Sequence, residues 1–317
     1  MEFRNLGDSG LKVSLAGVGC NNFGMAIDYE ASEKVVRAAL DSGINFFDTA
    51  DCYGNGGSEE HLGKALGADR QNAVIATKFG LPMGQGPLMG GGSRRYVIQA
   101  CEASLERLGT DYIDVYFLHT PDADTPIGET LDALDILIDQ GKIRYAGCSN
   151  LSGWQIADAS WEAGAEGKRG FVSAQNEWSL LNRAVESEVV PACEHYGLGI
   201  LPYFPLASGA LTGKYKRGQE FDKSSRYGGG EGREMFTQMY GHFVSDQNLE
   251  KVERLEEVAS GAGLSIIELA LSWLASQPSV SSVIAGATKP EQVESNAKLT
   301  HGGLGADVLE AVDKALA

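Results

Sequence analysis

Asp48, Tyr53, Lys78 and His119 each stand just past the C-terminal end of a separate short apolar run. Together these residue types suit proton donation to a reacting oxygen. A carboxylate keeps an ammonium charged and aimed, the ammonium favours ionisation of a nearby phenol, and an imidazole can hydrogen-bond the oxygen on which charge develops. Where negative charge grows on an oxygen, an acid must stand within ~3 Å of it. Tyr53 is the expected acid. A phenol ordinarily has a pKa of about 10, and Lys78 is expected to ease release of its proton. Singly, each residue has a plainer reading: Asp48 bonding backbone amides, Tyr53 and His119 packing. Their value lies in being gathered on one rim.

The runs that carry them read as strands at 45–47, 73–77 and 112–118, and further strands are expected at 15–19, 143–148, 171–175, 199–203 and 280–285. Helical patterns lie between them, at 31–41, 58–66, 127–140, 153–163, 186–196, 248–260 and 266–276. Val97, Ile98, Cys101, Leu105 and Leu108 keep one face apolar at the helical period. Eight alternating strand–helix units predict an α/β fold, a (β/α)8 barrel formed by residues 1–317 as a single domain, with its chemistry on the C-terminal rim of the strands. An N-terminal β-hairpin and a long loop after the seventh strand, 207–245, complete the expected fold.

Composition narrows the function classes. Hydrophobic residues make up 43% of the 317, enough for a barrel core. No apolar run approaches ~18 residues and none at the N-terminus resembles a signal peptide, so a cytoplasmic protein that does not span a membrane is expected. Five scattered cysteines without a Cys-x-x-Cys pair suit reduced thiols. Cys52 and Cys148, near the rim, read as core filler. The five histidines have no zinc-binding spacing, and no metal is expected.

The net charge of -17 repels nucleic acid and anionic membrane surfaces. Against that background Lys214, Lys216, Arg217, Lys223 and Arg226 form a local cluster that reads as a polyanion clamp, leading into a hinge-like glycine run at 228–230. Two glycine stretches are decoys. Gly17-Val18-Gly19-Cys20 starts like a dinucleotide fingerprint, but its third glycine falls at Gly24, two positions late. Gly90-Gly91-Gly92 lacks the Lys-Ser/Thr of a phosphate loop and reads as a flexible connection.

Seven strings in order along nearly the whole chain resemble the aldo-keto reductase superfamily. They are Asp48-Thr49-Ala50-Asp51-Cys52-Tyr53-Gly54, Gly109-Thr110-Asp111-Tyr112-Ile113-Asp114 leading to Leu118-His119, Gly147-Cys148-Ser149-Asn150, Gln175-Asn176-Glu177-Trp178, Tyr203-Phe204-Pro205-Leu206-Ala207-Ser208-Gly209, Leu211-Thr212-Gly213-Lys214-Tyr215, and Gly286-Ala287-Thr288-Lys289-Pro290-Glu291-Gln292 with Asn296. The subgroup resembled is that of bacterial general reductases and potassium-channel beta subunits.

That resemblance implies carbonyl reduction with a nicotinamide cofactor, NADPH favoured over NADH, lying extended across the rim without a Rossmann domain. It makes Asp48, Tyr53, Lys78 and His119 the catalytic set. Ser149, Asn150 and Gln175 would hold the carboxamide and Tyr203 would stack on the nicotinamide ring. Gly19, Cys20, Asn21 and Asp48 would line the site. Phe204, Pro205, Leu206, Ala207, Ser208, Lys214 and Arg226 would close over the diphosphate. Gly286, Thr288, Gln292 and Asn296 would take the adenosine end. Phe23 is expected at the substrate pocket, and Trp178 either forms a substrate wall or packs under the rim. The chain departs from the family where Gly286 and Gln292 replace cations that grip an adenosine phosphate, and Lys289 is the nearby substitute. Ser295 stands where an acidic ribose ligand is common.

A small carbonyl compound is the expected partner, its identity open. A cofactor-sensing subunit, or an alcohol or sugar dehydrogenase working oxidatively, would use the same residues. A sugar-phosphate isomerase or hydrolase would need a general-base carboxylate or metal ligands instead.

Overall fold

The computed structural model describes residues 1–222, 225–228, 234–299 and 303–317. Two short strands, β1 (Phe3–Asn5) and β2 (Lys12–Ser14), pair antiparallel as the expected hairpin. Eight parallel strands follow among the described residues: β3 (Ala16–Gly19), β4 (Phe46–Asp48), β5 (Val74–Phe79), β6 (Ile113–Leu118), β7 (Ile143–Ser149), β8 (Phe171–Gln175), β9 (Gly199–Ile200) and β10 (Val283–Gly286). Their spatial order is β10-β3-β4-β5-β6-β7-β8-β9. The sheet curls until its ends meet: the Ser281 amide donates to the Ile200 carbonyl at 2.9 Å, and that of Ile284 to the Pro202 carbonyl at 3.1 Å. This is the (β/α)8 architecture. The seventh strand is shorter than the expected 199–203, because Pro202 has no amide to donate and Tyr203 makes only an isolated bridge to Glu177.

Helices α1 (Tyr29–Asp41), α2 (Gly57–Leu66), α3 (Arg94–Leu108), α4 (Ile127–Asp139), α5 (Gly153–Glu166) and α6 (Val189–Tyr196) each follow one strand. After β9 come α7 (Glu234–Tyr240), α8 (Asp246–Gly261) and α9 (Ile266–Ala275), and after β10 come α10 (Pro290–Leu299) and α11 (Ala306–Leu316). Local chemistry sets these boundaries. Asp28 accepts the Ala31 amide at the start of α1, Ser265 and Glu268 form a reciprocal cap on α9, and α3 stops at Gly109, whose φ of 61° is left-handed. No single helix among the described residues is long and apolar enough to cross a membrane.

Two apolar layers hold the rim in place. One lies between strands and helices and includes Phe47, Ile75, Tyr116, Leu134 and Ile156. The other fills the barrel, where Leu6 and Val13 of the hairpin pack with Phe46, Val115, Phe117 and Leu201. Each such burial is worth roughly 1.5–3 kcal/mol. The hairpin is also tied to the far end of the chain: Arg4 Nη1 donates to the Val280 carbonyl at 2.8 Å and Nη2 to that of Ala275 at 2.8 Å.

The glycine stretches have structural explanations. A Cβ on Gly17 would lie 2.8 Å from Ser282 Oγ and 2.9 Å from the Phe46 ring, so this glycine lets β3 sit between its neighbours. The connection containing Gly92 is pinned, contrary to the flexible reading. The Gly92 amide donates to Asp122 Oδ2 at 2.7 Å, its carbonyl accepts from Thr130 at 2.8 Å, and a Cβ there would meet Thr130 Oγ1 at 2.5 Å.

Candidate functional site

The four expected residues do gather at the C-terminal rim, though they come from three strands and not four. Asp48 is the last residue of β4, and Tyr53 follows it in the turn before α2. Lys78 lies within β5, one residue short of its end, and His119 comes directly after β6. Neighbouring strands in the sheet order place them side by side.

Lys78 is completely buried and Asp48 is 4% exposed. The ammonium donates to Asp48 Oδ2 at 2.8 Å and to the Thr49 carbonyl at 2.7 Å. The other carboxylate oxygen accepts from Gln175 Nε2 at 2.7 Å. Burial is the largest influence on the Lys78 ammonium and acts to lower its pKa, but Asp48 and Tyr53 together outweigh it and the net shift is upward. The cation is therefore locked in its charged form. Its nitrogen lies 5.0 Å from the centre of the Tyr53 ring.

Tyr53 meets His119 edge to face, with ring centroids 5.8 Å apart. The expectation that Lys78 would leave the phenol more acidic needs correction. Burial pushes Tyr53 up to about 12, with Lys78 pulling the other way and Asp48 adding to the rise. The phenol is held as a proton carrier at neutral pH.

Burial, helped by the Lys78 charge, takes His119 down to about 3. Its ring is neutral, and Nδ1 lies 3.8 Å from Cys52 Sγ. Burial drives the Cys52 thiol up to about 11, so it keeps its proton and can offer it to Nδ1. That contact leaves the other ring nitrogen as the N–H donor.

The remaining expected residues are arranged around this centre in different ways. Ser149 closes β7, and Asn150 follows it with a left-handed φ of 61°. The Asn150 amide is fully committed: Nδ2 donates to the His119 carbonyl at 2.9 Å and to Ser149 Oγ at 3.1 Å, while Oδ1 accepts from the Tyr203 hydroxyl at 2.8 Å. It clips the end of β6 to Tyr203. Cys20 is completely buried behind β3, and Gly19 pairs in register with Gly286 of β10. A Cβ on Gly286 would stand 3.5 Å from Asn21 Oδ1, so these residues share one corner of the rim. Thr288 donates its amide to Gln292 Oε1 at 2.8 Å at the start of α10, and Asn296 lies a turn further on, half-buried.

The segment after Tyr203 turns sharply across the rim. Phe204, Ala207 and Ser208 all have positive φ, at 52°, 47° and 54°, a costly conformation for residues with side chains. Pro205 is buried and Leu206 half-buried between them.

The basic cluster is smaller than its sequence suggests. Lys216 donates to both oxygens of Glu256 at 2.7 Å, and Arg217 pairs with Glu253 at 2.9 Å, so α8 neutralises both. Lys223 and the glycines at 229 and 230 lie outside the described residues. Lys214 and Arg226 are exposed and have no ion-pair partner among the described residues. Lys214 lies against the loop backbone, its Nζ 3.5 Å from where a Gly209 Cβ would be. The insertion has its own apolar anchor, Tyr215, Tyr227 and Leu249 packed with Phe221, Tyr240 and Val244.

Phe23 is a correction, and for Trp178 the packing reading holds. Phe23 is completely buried and Trp178 is 1% exposed, its indole donating to Glu186 Oε1 at 3.0 Å and its ring edge-on to Trp273. Both pack beneath the rim instead of lining an open wall. A surface cavity of about 850 Å³, lined by Arg37, Asp41, Pro290 and Lys298, lies on the outer flank and contains none of the expected site residues. Asp51 carried no individual expectation, yet it is 1% exposed and neither carboxylate oxygen meets a side-chain donor among the described residues.

Comparison with known proteins agrees with this architecture. Residues 16–317 match the model of the aldo/keto reductase family. The chain belongs to that family. A probable voltage-gated potassium channel subunit beta from Oryza sativa subsp. japonica is 41% identical over 303 residues, covering 94% of this chain and 90% of the relative. L-glyceraldehyde 3-phosphate reductase of Escherichia coli K12 is 35% identical, covering 93% and 86%. Versiconal hemiacetal acetate reductase of Aspergillus parasiticus is 33% identical, covering 91% and 90%. Carbonyl reduction with a nicotinamide cofactor is the general chemistry of this family.

Proposed function

We propose that this aldo/keto reductase barrel, acting as one domain, reduces an aldehyde or ketone to an alcohol with hydride from NADPH, and that Tyr53 donates the proton. The observation that carries this reading is the Tyr53 phenol, kept protonated by burial between a locked ammonium and a neutral imidazole.

Lys78 favours the phenolate that remains after proton transfer, and its charge is available at every neutral pH because Asp48 and Thr49 hold it. The N–H of His119 hydrogen-bonds the carbonyl oxygen and orients it toward the phenol. With a pKa near 3 the ring does not carry the reaction's proton itself, which narrows its expected role to donor and guide. Gln175 aims Asp48 from the opposite side.

The residues at the rim fit a nicotinamide dinucleotide, which supplies the hydride when bound. With Asn150 committed internally, the Ser149 hydroxyl and Gln175 Oε1 are the groups left to take the carboxamide. Tyr203, oriented by Asn150, offers its ring for stacking. Lys214 and Arg226, which have no ion-pair partner among the described residues, would meet a diphosphate beside the 204–208 backbone, and Gln292, Asn296 and Lys289 would take the adenosine end. Tyr53→Phe separates holding from reacting. Cofactor affinity should stay within about twofold while reduction falls roughly 100-fold or more. Near-normal reduction by the variant would remove Tyr53 from the role of acid.

A second reading draws on the rice relative, named as a channel subunit beta. A cofactor-binding regulatory subunit would keep the same rim, so optical turnover of a generic aldehyde, run in both directions, discriminates among sensor, reductase and dehydrogenase.

A further inference from the structure

Asp51, Cys52 and His119 bring three potential metal ligands together from two strands: a carboxylate oxygen, Sγ and a ring nitrogen all lie within 4.8 Å of one another. Cys52 Sγ and His119 Nδ1 are 3.8 Å apart. In a tetrahedral zinc site, with Zn–S near 2.3 Å and Zn–N near 2.05 Å, sulfur and nitrogen stand roughly 3.6 Å apart. The third arm is Asp51, which is 1% exposed and meets no side-chain donor among the described residues; burial pushes its carboxyl up to about 7, with the Cys52 backbone amide pulling the other way. A carboxyl in that condition is costly to ionise unless a cation meets it. The thiolate and the carboxylate together would neutralise a divalent ion. Cys52 remains partly exposed and gives the site its opening.

We propose that Asp51, Cys52 and His119 form a reversible inhibitory site for a zinc-class divalent cation. Binding forms one bond from the metal to each of the three ligand atoms, releases the Cys52 thiol proton and the proton carried by the Asp51 carboxyl to solvent, and displaces water coordinated to the metal. A water molecule or chloride completes the tetrahedron on the open side. Inhibition follows from chain connectivity. Drawing together ligand atoms now spread over as much as 4.8 Å to roughly 3.6 Å shifts the backbone of Asp51 and Cys52, and Tyr53 is the next residue. A misplacement of about 1 Å at a reacting group can cost ~100-fold in rate. This half of the inference rests on Tyr53 being the acid; the chelate does not. The histidine spacing in the sequence gave no sign of the site, because Cys52 and His119 meet only when β4 and β6 are folded.

Cobalt(II) titrated into the reduced full-length protein tests the inference. One equivalent should produce a cobalt–thiolate charge-transfer band, reversed by EDTA. Cys52→Ser should abolish the band, and Asp51→Asn should weaken binding at least ~10-fold. Zinc should reduce the aldehyde reduction rate with a midpoint matching its competition against cobalt, each variant being compared with its own metal-free rate. The four other cysteines are buried, so the parent protein alone can decide the matter if a variant misfolds. Absence of a thiolate band in the parent, a band that persists in Cys52→Ser, or full turnover by the metal-loaded protein would overturn the proposal. The spectrum reports the chelate even if Tyr53→Phe retains activity, so failure of the site and failure of the catalytic reading are distinguishable.

Discussion

Replacing Lys78 with methionine should cost about 3–5 kcal/mol of stability, the usual scale for removing one partner of a buried ion pair. The ammonium and the carboxylate are 2.8 Å apart, at 0% and 5% side-chain exposure. At an effective dielectric constant of 20 their attraction is about 6 kcal/mol. Taking each ion out of water costs several kcal/mol, so the intact pair comes close to balance. Methionine fills the space of the lysine stem but leaves the Asp48 carboxylate buried with the Gln175 amide as its remaining side-chain donor. Adding Asp48→Asn to Lys78→Met removes that stranded charge and should restore at least about 2 kcal/mol. Urea unfolding of the parent, both single variants and the double variant at pH 7 measures the coupling directly. Carbonyl reduction should remain crippled in the double variant, because regained stability does not return the cation beside Tyr53. The reasoning fails if Lys78→Met costs less than about 1 kcal/mol, or if the double variant is no more stable than the single.

Three other expectations concern the rim. NADPH should bind more tightly than NADH, and Lys214→Ala should weaken binding in a salt-dependent way, with equal affinities in a fluorescence titration counting against the preference. Hydrogen exchange in the described parts of 207–245 should slow on adding NADPH, chiefly outside the Tyr215–Tyr227–Leu249 anchor, and unchanged exchange would indicate a preformed clamp. His119, at about 3 when folded and 6.5 when unfolded, takes up a proton only on unfolding between those values, so its contribution to stability declines as the pH falls through 6.5 towards 3. Relative to His119→Gln, the parent should lose about 2 kcal/mol between pH 7 and pH 5, while its reduction rate should show no histidine limb in that window; an equal pH slope in the variant would refute the assignment.

What could be read from the sequence was local. Strand runs ending in Asp48, Lys78 and His119 marked the rim, because a polar residue closing an apolar run already implies a change of surroundings. Helix boundaries were legible where caps such as Asp28 and Gly109 carry them. Partnerships between distant residues were not. Gln175 reaches Asp48 across 127 positions, and Glu256 takes Lys216 out of the expected clamp across 40. Trp178 and Phe23 could not be assigned to core or pocket until the layer beneath the rim was in place. The direction of the Tyr53 shift was missed because a sequence shows neighbouring charges and says nothing of desolvation, which proves larger.

The Arg4 bonds to Ala275 and Val280 have a consequence for biosynthesis. Those carbonyls lie 271 and 276 residues downstream. At roughly 5–20 residues per second, a ribosome needs on the order of 10 s to a minute to make them after residue 4 emerges. Throughout that interval the hairpin can fold on itself but cannot be fastened, and the apolar floor of the nascent barrel, with Leu6 and Val13 as its plug, stays open to chaperones. The closing stitch therefore joins residues made far apart in time, and the hairpin is fastened to the barrel only after the whole intervening segment has been synthesised.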